Sequence, residues 1–538
     1  MATVPCRASL LMLLMLVHPC CCAAPAADER RLLIQIKRAW GDPSTLAAWD
    51  GSADHCTWPY VTCVAPSGPV TSLSLASTNV DGPFPDAIGA LSGLTSLDIS
   101  NNGVTGAFPT SVYRCASLRY LDLSHNYLGG ELPADMGGAL GENLTSLVLN
   151  GNHFNGTIPT SLSRLRNLHS LALDNNHLAG TIPAELGDLT GLQTLTLLNN
   201  LFSVGEVPAS FKNLTKLKKF WAANCNLTGD FPSYVAEMPE LEALDLSGNA
   251  LTGSIPPGIW NLPKLQKVDL SANNLAGEVV ATDGAFGAAN LVTIDLSLNH
   301  RLRGLIPEGL GHLPNLETLN LSGNQLFGRI PRSIAKLGLL TQLDLSRNQL
   351  VGEIPAELGD MQMLNALDLS SNKLSGDIPL PLAGLQLRSL NLSSNQLEGQ
   401  VPAGLATAAY DRSFLDNPGL CLAGTEFGFV AGVRSCSMPS QAASSPGVRS
   451  TALLALKAAA CVVVVLVVAV VFFVVHDRKK KRAAQDGSEE NQSAAAGRGL
   501  LNATTSVLIS LLLSTGIFEC ESVRYIELTV KDPNVVRF

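Results

Sequence analysis

The chain has 538 residues, of which 46% are hydrophobic, 5% aromatic and 15% charged. So apolar a composition excludes disorder for the bulk of it, and 47 Gly without a three-residue period exclude a collagen helix. A net charge of −9 argues against a nucleic-acid partner. Length alone would allow about three or four domains, but many aliphatic and few aromatic residues suggest one core filled by a small repeated unit.

Residues 1–27 read as a signal peptide. Arg7 precedes an apolar run at residues 10–17, and Ala23, Ala24, Ala26 and Ala27 offer cleavage sites. The run is shorter than the roughly 20 residues a spanning helix needs. Cys6, Cys20, Cys21 and Cys22 leave with it.

Residues 28–66 precede the repeat. Within them, residues 28–40 predict an amphipathic helix that offers Leu32, Leu33, Ile36, Ala39 and Trp40 to an apolar surface.

From residue 67 to 404 one unit, LxxLxLSxNxLxGxIP, recurs 14 times at spacings of 23 to 26. Its Asn falls at 102, 126, 152, 176, 200, 249, 273, 299, 324, 348, 372 and 395, with Thr78 and Cys225 in the two remaining slots. Such a pattern predicts an α/β repeat solenoid of leucine-rich repeats with a parallel concave β-sheet, and its wording resembles the plant-type leucine-rich-repeat superhelix. Leu121-Asp122-Leu123 illustrates the alternation, with leucines inward and Asp122 outward. The Asn carries a donor and an acceptor, so a stack of them can satisfy buried backbone groups coil after coil. At Cys225 that tie should be weaker. In the second half of the unit a Gly, as at Gly82 and Gly130, permits a tight backbone, and a Pro, as at Pro85 and Pro133, stops the ladder. One unit has Val280 in place of Pro and an insertion at 281–290, which predicts an outer bulge.

Residues 405–451 read as a C-terminal cap and stalk. Residues 452–475 predict a single transmembrane helix, since 458–475 carry no charge and Arg478, Lys479, Lys480, Lys481 and Arg482 follow as a cytoplasmic stop. Residues 476–538 then form a short inner tail. It holds nine basic and eight acidic residues, and Arg7 and Lys457 add one positive charge each, which leaves the outer part at −12.

The repeat wording resembles the plant leucine-rich-repeat receptor kinases, and most of all the HAESA-like peptide-hormone receptors. Leu32 to Cys63, with Trp40, Trp49 and Cys56-Thr-Trp-Pro-Tyr-Val-Thr-Cys63, resembles that family's N-terminal cap. Asn417-Pro-Gly-Leu-Cys421 resembles its closing segment. The resemblance covers residues 1 to about 482. It implies a plasma-membrane, single-pass glycoprotein with its N-terminus outside, an extracellular peptide or protein ligand, and a co-receptor kinase of the somatic embryogenesis receptor kinase type. It also implies an inner kinase. The tail of 63 residues is too short for one and lacks Gly-x-Gly-x-x-Gly, His-Arg-Asp and Asp-Phe-Gly. The chain as written is therefore expected not to be an enzyme, with no catalytic residues, cofactor or metal. Three readings stand: a receptor-like protein that signals through a co-receptor kinase or acts as a decoy, a truncated product of a Ser/Thr receptor kinase, and a defence binder of a pathogen protein.

Proximity in an oxidising compartment pairs Cys56 with Cys63 and Cys421 with Cys436. Cys115 and Cys225 read as small core residues. Six outer sequons are candidates for glycosylation: Asn143, Asn155, Asn213, Asn226, Asn320 and Asn391. Asn320 and Asn391 fall on concave strands, where a glycan either blocks the ligand or the site goes unused.

The outward strand positions are a monotonous Asp-Leu-Ser from Leu244 onward. Earlier units depart from it, and the departures are the candidate ligand-binding residues: Tyr120, His125, Val148, Asn150, Ala172, Asp174, Thr196, Leu198, Lys219 and Trp221. Aromatic residues on a polar sheet are typical anchors; the alternative is that Trp221 packs against Leu198 and Val148. A sheet of this length, near 60–65 Å at about 4.8 Å per strand, has room for a dozen extended residues, roughly 40 Å. The acidic exterior favours a basic ligand. HAESA-like receptors resemble one another in an Arg-x-Arg pair on a late strand that meets the peptide's carboxylate. Here Arg301-Leu-Arg303 is expected in a loop and Arg164-Leu-Arg166 on the outer side, so that capture is not implied.

Overall fold

In each coil the middle residue of the short strand, most often a leucine, has nowhere to go but inward, and Leu121, Leu147 and Leu171 have no exposed surface. A strand so short is not stable alone. It persists because its backbone pairs with the coils on either side. Fourteen strands, from Val70–Ser74 to Ser389–Asn391, pair in parallel and in chain order. Val61–Cys63 adds an antiparallel opening strand that the repeat pattern does not predict. The computed structural model describes residues 28–281, 284, 286–423 and 430–436. Two units divide the chain, Met1–Met438 and Pro439–Phe538, and every described residue lies in the first. The signal peptide, the membrane span at 452–475 and the inner tail fall outside the described residues. Among the described residues no helix is long and apolar enough to cross a membrane.

The Asn slot works by a fixed geometry. Asn176 Nδ2 donates to the carbonyls of Leu149 (3.0 Å), Leu173 (3.1 Å) and Asp174 (3.2 Å), while its Oδ1 accepts the Phe154 N–H (3.0 Å). One amide thus closes its own turn and ties it to the coil before. The residue preceding the slot is left-handed throughout, with φ of 54° at Asn101 and Asn175 and 52° at His125. Asn bears that conformation at least cost after Gly. At Cys225 the thiol donates to the Leu197 and Ala223 carbonyls (3.3 and 3.4 Å), but sulfur replaces the amide oxygen that would accept the Phe202 N–H. Restoring it by Cys225→Asn is expected to raise stability by about 1 kcal/mol, read as a higher midpoint in denaturant.

The second half of the unit is more regular than a turn closed by Pro. The extended residues after each slot stack at the coil spacing, so their backbones pair as well. They form flank sheets of four, two and eight strands. Pro then starts short 3-10 helices on the convex side, as Pro159 does for Thr160–Arg164. In the described part of the insertion Phe286 is buried against Trp260, with centroids 5.6 Å apart, closing over the convex helix.

Both ends of the solenoid are covered. The helix Glu29–Ala39 is capped by Asp28, which accepts the Arg31 N–H at 3.3 Å, and it buries Leu33 and Ile36. Ala39, expected on that face, is exposed, because Trp40 turns in at the C-cap instead. Trp49 and Trp58 stack at 5.9 Å beside the Cys56–Cys63 disulfide. At the far end Asn417 repeats the slot's bonds, donating to Leu392, Phe414 and Leu415. Strands Gly419–Leu422 and Arg434–Ser435 extend the flank sheet and are joined by the Cys421–Cys436 disulfide.

Candidate ligand-binding face

The third residue of every concave strand faces outward, and the parallel register stacks these residues in one row. On half of the fourteen rungs it is a carboxylate with a structural task. Asp245 Oδ1 accepts both the backbone N–H (3.2 Å) and the hydroxyl (2.7 Å) of Ser247. Asp269 with Ser271 and Asp295 with Ser297 repeat this arrangement. The monotony of Asp-Leu-Ser is therefore a local cap that holds the bend after each strand. Asp269 is held above the usual carboxylate range, first by burial and then by the like charges of Asp245 and Asp295, against the lowering effect of the Ser271 bonds. Lys267 lies 3.4 Å from Asp245 and 3.8 Å from Asp269.

Four successive rungs abandon the cap. Val148, Ala172, Thr196 and Trp221 occupy the row in direct register, between Asp122 on one side and Asp245 on the other. Two residues further on, Asn150, Asp174, Leu198 and Ala223 replace the serines. The result is a window without free carboxylates in an acidic sheet. Trp221 is half-buried, the Lys219 ammonium lies 4.3 Å over its ring, and its indole N–H is buried without a partner. Val148, Asn150 and Leu198 are half-buried, and His125 is exposed, with Nε2 3.3 Å from Asn150 Nδ2.

Two candidates have other work. Thr196 is buried and its hydroxyl donates to Asp174, whose second oxygen accepts from Asn175 Nδ2 (2.8 Å). It is a brace, not a contact surface, because the neighbouring rung brings Asp174 within reach. Tyr120 stands in the first row of its strand, outside the window, and its hydroxyl donates to Asp122 Oδ2 at 2.9 Å. Burial and then Asp122 push its phenol up.

Sequence reasoning missed two features of the same coils. Asn175, Asn199 and Asn224 link their exposed amides in a chain of 2.9 Å bonds beside the window. On the flank, Tyr127, His153 and His177 stand in a ladder with ring centroids 6.0 and 5.6 Å apart, followed by exposed Leu201. Reading the residues immediately before and after each Asn slot down the repeat would have exposed both.

Arg301 and Arg303 lie in a flank strand, Arg301–Gly304, rather than in a loop, because the whole post-slot segment is extended. His55, Cys56 and Cys63 bring ligand atoms within 4.8 Å of one another, but the two sulfurs are bonded to each other and cannot hold a metal. Burial pushes the thiols of Cys115 and Cys225 up, to about 11 and about 12, so neither is a nucleophile at neutral pH.

The sequons divide by where they stand. Asn143, Asn155, Asn213 and Asn226 are exposed and off the concave row, although Nδ2 of Asn143 and of Asn226 donates to the Ala116 and Phe202 carbonyls. Asn320 and Asn391 take the place of the capping Asp. Each accepts from the serine two residues on, and Nδ2 donates to Asp295 (3.0 Å) and Asp368 (3.1 Å) respectively. A glycan on either would intrude on that row. Glycopeptide mass spectrometry of secreted chain is expected to find sugar at the first four and none at Asn320 or Asn391, with Asn320→Asp folding normally.

Comparison with known proteins accords with this geometry. The Leucine rich repeat family matches residues 69–128, 216–275, 279–326 and 289–350, and a second Leucine Rich Repeat family matches 143–165, 167–189, 363–385 and 386–408. The Leucine rich repeat N-terminal domain matches 26–64. The chain belongs to the leucine-rich-repeat family. Its repeats and N-terminal domain are similar to those of plant receptor-like proteins and receptor kinases.

This leucine-rich-repeat chain is 39% identical over 62 residues to a polygalacturonase inhibitor of Pyrus communis, covering 12% of the chain and 19% of the inhibitor. The curated relatives are thus matched over a small part of their length. A TDR receptor structure is 32% identical, with 66% of this chain and 64% of that one covered at a TM-score of 0.59. The Arabidopsis receptor kinase HAESA, solved with the peptide hormone IDA and the co-receptor SERK1, is 28% identical over 75% of this chain and 99% of that one. Its TM-score of 0.38 is too low to carry positions across.

Proposed function

We propose that the solenoid is the outer part of a cell-surface receptor-like protein of the HAESA-like type. In this reading it binds an extracellular peptide hormone on its concave face. It passes the signal to a co-receptor kinase or withholds the peptide as a decoy. The role is binding, and no catalytic step falls to the residues of the solenoid. One observation carries the reading: the structural Asp-x-Ser cap is given up on four adjacent rungs, and only there does a tryptophan stand in the row. A cap worth keeping on the other rungs is lost where something else is gained. A half-buried aromatic with an unpartnered N–H is the kind of group that dominates binding energy.

The test is a titration of full-length chain with sulfated and hydroxyproline-bearing peptides. Trp221→Ala is expected to weaken the binding by tenfold or more, about 2 kcal/mol; an unchanged affinity sinks the window as the site. A second reading is favoured by the similarity to the pear polygalacturonase inhibitor. In it the same face captures a foreign protein, and binding of a microbial protein with no binding of any peptide would select it.

A further inference from the structure

The charge pattern around the window specifies the ligand further, given that the window binds a peptide. Asp98 and Asp122 stand on the rungs before it; Asp122 is buried with both oxygens bonded, to Tyr120 and Ser124, so the carboxylate a ligand meets there is the half-buried Asp98, which among the described residues has no Lys or Arg partner. Asp245, Asp269 and Asp295 follow it, with Lys267 as the one cation paired to that group. Both flanks therefore carry unneutralised negative charge. The window between them holds a single carboxylate, Asp174, whose oxygens accept from Thr196 and Asn175. Its own cation, Lys219, is held over Trp221.

The register sets the distance between the flanks. Asp98 and Asp245 are six rungs apart. At about 4.8 Å per rung this is about 29 Å, which an extended chain spans in about eight or nine residues, and the even spacing of eight turns both side chains to the same face. We propose that the ligand is an extended peptide laid across the strands, with two basic side chains about eight residues apart and apolar side chains between them. The basic groups meet the two carboxylate flanks, and an apolar side chain settles against Val148 and Trp221. Asp269, whose carboxyl is held up first by burial and then by the like charges of Asp245 and Asp295, gains a partner when a cation arrives.

The experiment uses full-length chain and synthetic 12-residue peptides. One has two lysines eight positions apart around leucine and phenylalanine. A second has the lysines four apart, and a third has glutamate for lysine. The first is expected to bind at least tenfold more tightly than the others and to weaken steeply with salt. Asp245→Asn tests the flank without unfolding it, since Asn320 already performs the Ser-capping task in this same row. It should weaken the first peptide severalfold and leave the third unchanged. Equal affinity for the lysine and glutamate peptides, or indifference to spacing, overturns the proposal. If such binding still depends on Trp221, peptide recognition by the window stands without this charge pattern. If no peptide binds at all, both fall.

Discussion

Replacing Asn299 by alanine is expected to destabilise the solenoid by about 3 kcal/mol or more. Asn299 has no exposed surface. Its Nδ2 donates to the carbonyls of Leu270, Leu296 and Ser297 at 3.0, 3.0 and 3.3 Å, and its Oδ1 accepts the Leu275 N–H at 3.1 Å. Alanine leaves the Leu275 N–H without a partner where water has no access, at a cost of about 1–3 kcal/mol, and takes one bond of about 1 kcal/mol from each of three carbonyls, which keep their second donors in Asn273, Asn324 and the Ala272 N–H. Because each coil touches only its neighbours, the damage should be local. Hydrogen exchange should rise around residues 270–300 well before the ends of the solenoid respond. Asn102→Ala is the control. That site is half-buried near the start of the repeats, so water can replace part of what is lost, and the effect should be clearly smaller. Equal losses at the two sites would mean that the buried backbone groups do not set the cost.

Gly137→Ala is expected to cost about 2–3 kcal/mol, by overpacking rather than by a lost bond. This glycine sits in the short convex helix Met136–Ala139, where a Cβ would meet the Ser161 carbonyl oxygen of the next coil at 1.9 Å and its carbon at 2.3 Å. Both contacts are backbone, so no side chain can swing aside. Gly311 stands in the same relation to Ser333, with a Cβ 2.1 Å from the carbonyl oxygen. The glycine lets two coils approach on the convex side. Denaturant unfolding should show the loss, and Gly137→Ser should be at least as harmful. A neutral Gly137→Ala would show that the coils can part without penalty.

The sequence was legible wherever one residue's chemistry recurred at the same place in every unit. The inward leucines, the Asn slot, the count of coils and the strand that faces outward follow from periodicity, because a coil can bury its face only against another like it. The cysteine pairs were readable because residues 56 and 63, and 421 and 436, are close along the chain. What repetition could not say was which departures are free. Tyr120 and Trp221 look alike as aromatics on outward positions, yet the first is held by Asp122 and the second keeps an unpartnered N–H. Thr196 looks exposed by alternation and is buried, because the neighbouring rung brings Asp174 to its hydroxyl. Asn320 and Asn391 read as glycan sites and serve as caps.

Sequence by itself therefore determined the solenoid, its 14 coils and the rungs on which the pattern breaks. Only the tertiary structure decided which of those breaks leave a surface open. The reason is that, besides partners two residues off such as Asp122 for Tyr120, an outward side chain meets partners one coil away, as Thr196 meets Asp174 and Asn199 meets Asn175, 22 and 24 residues along the sequence. The parallel register alone brings them within bonding distance.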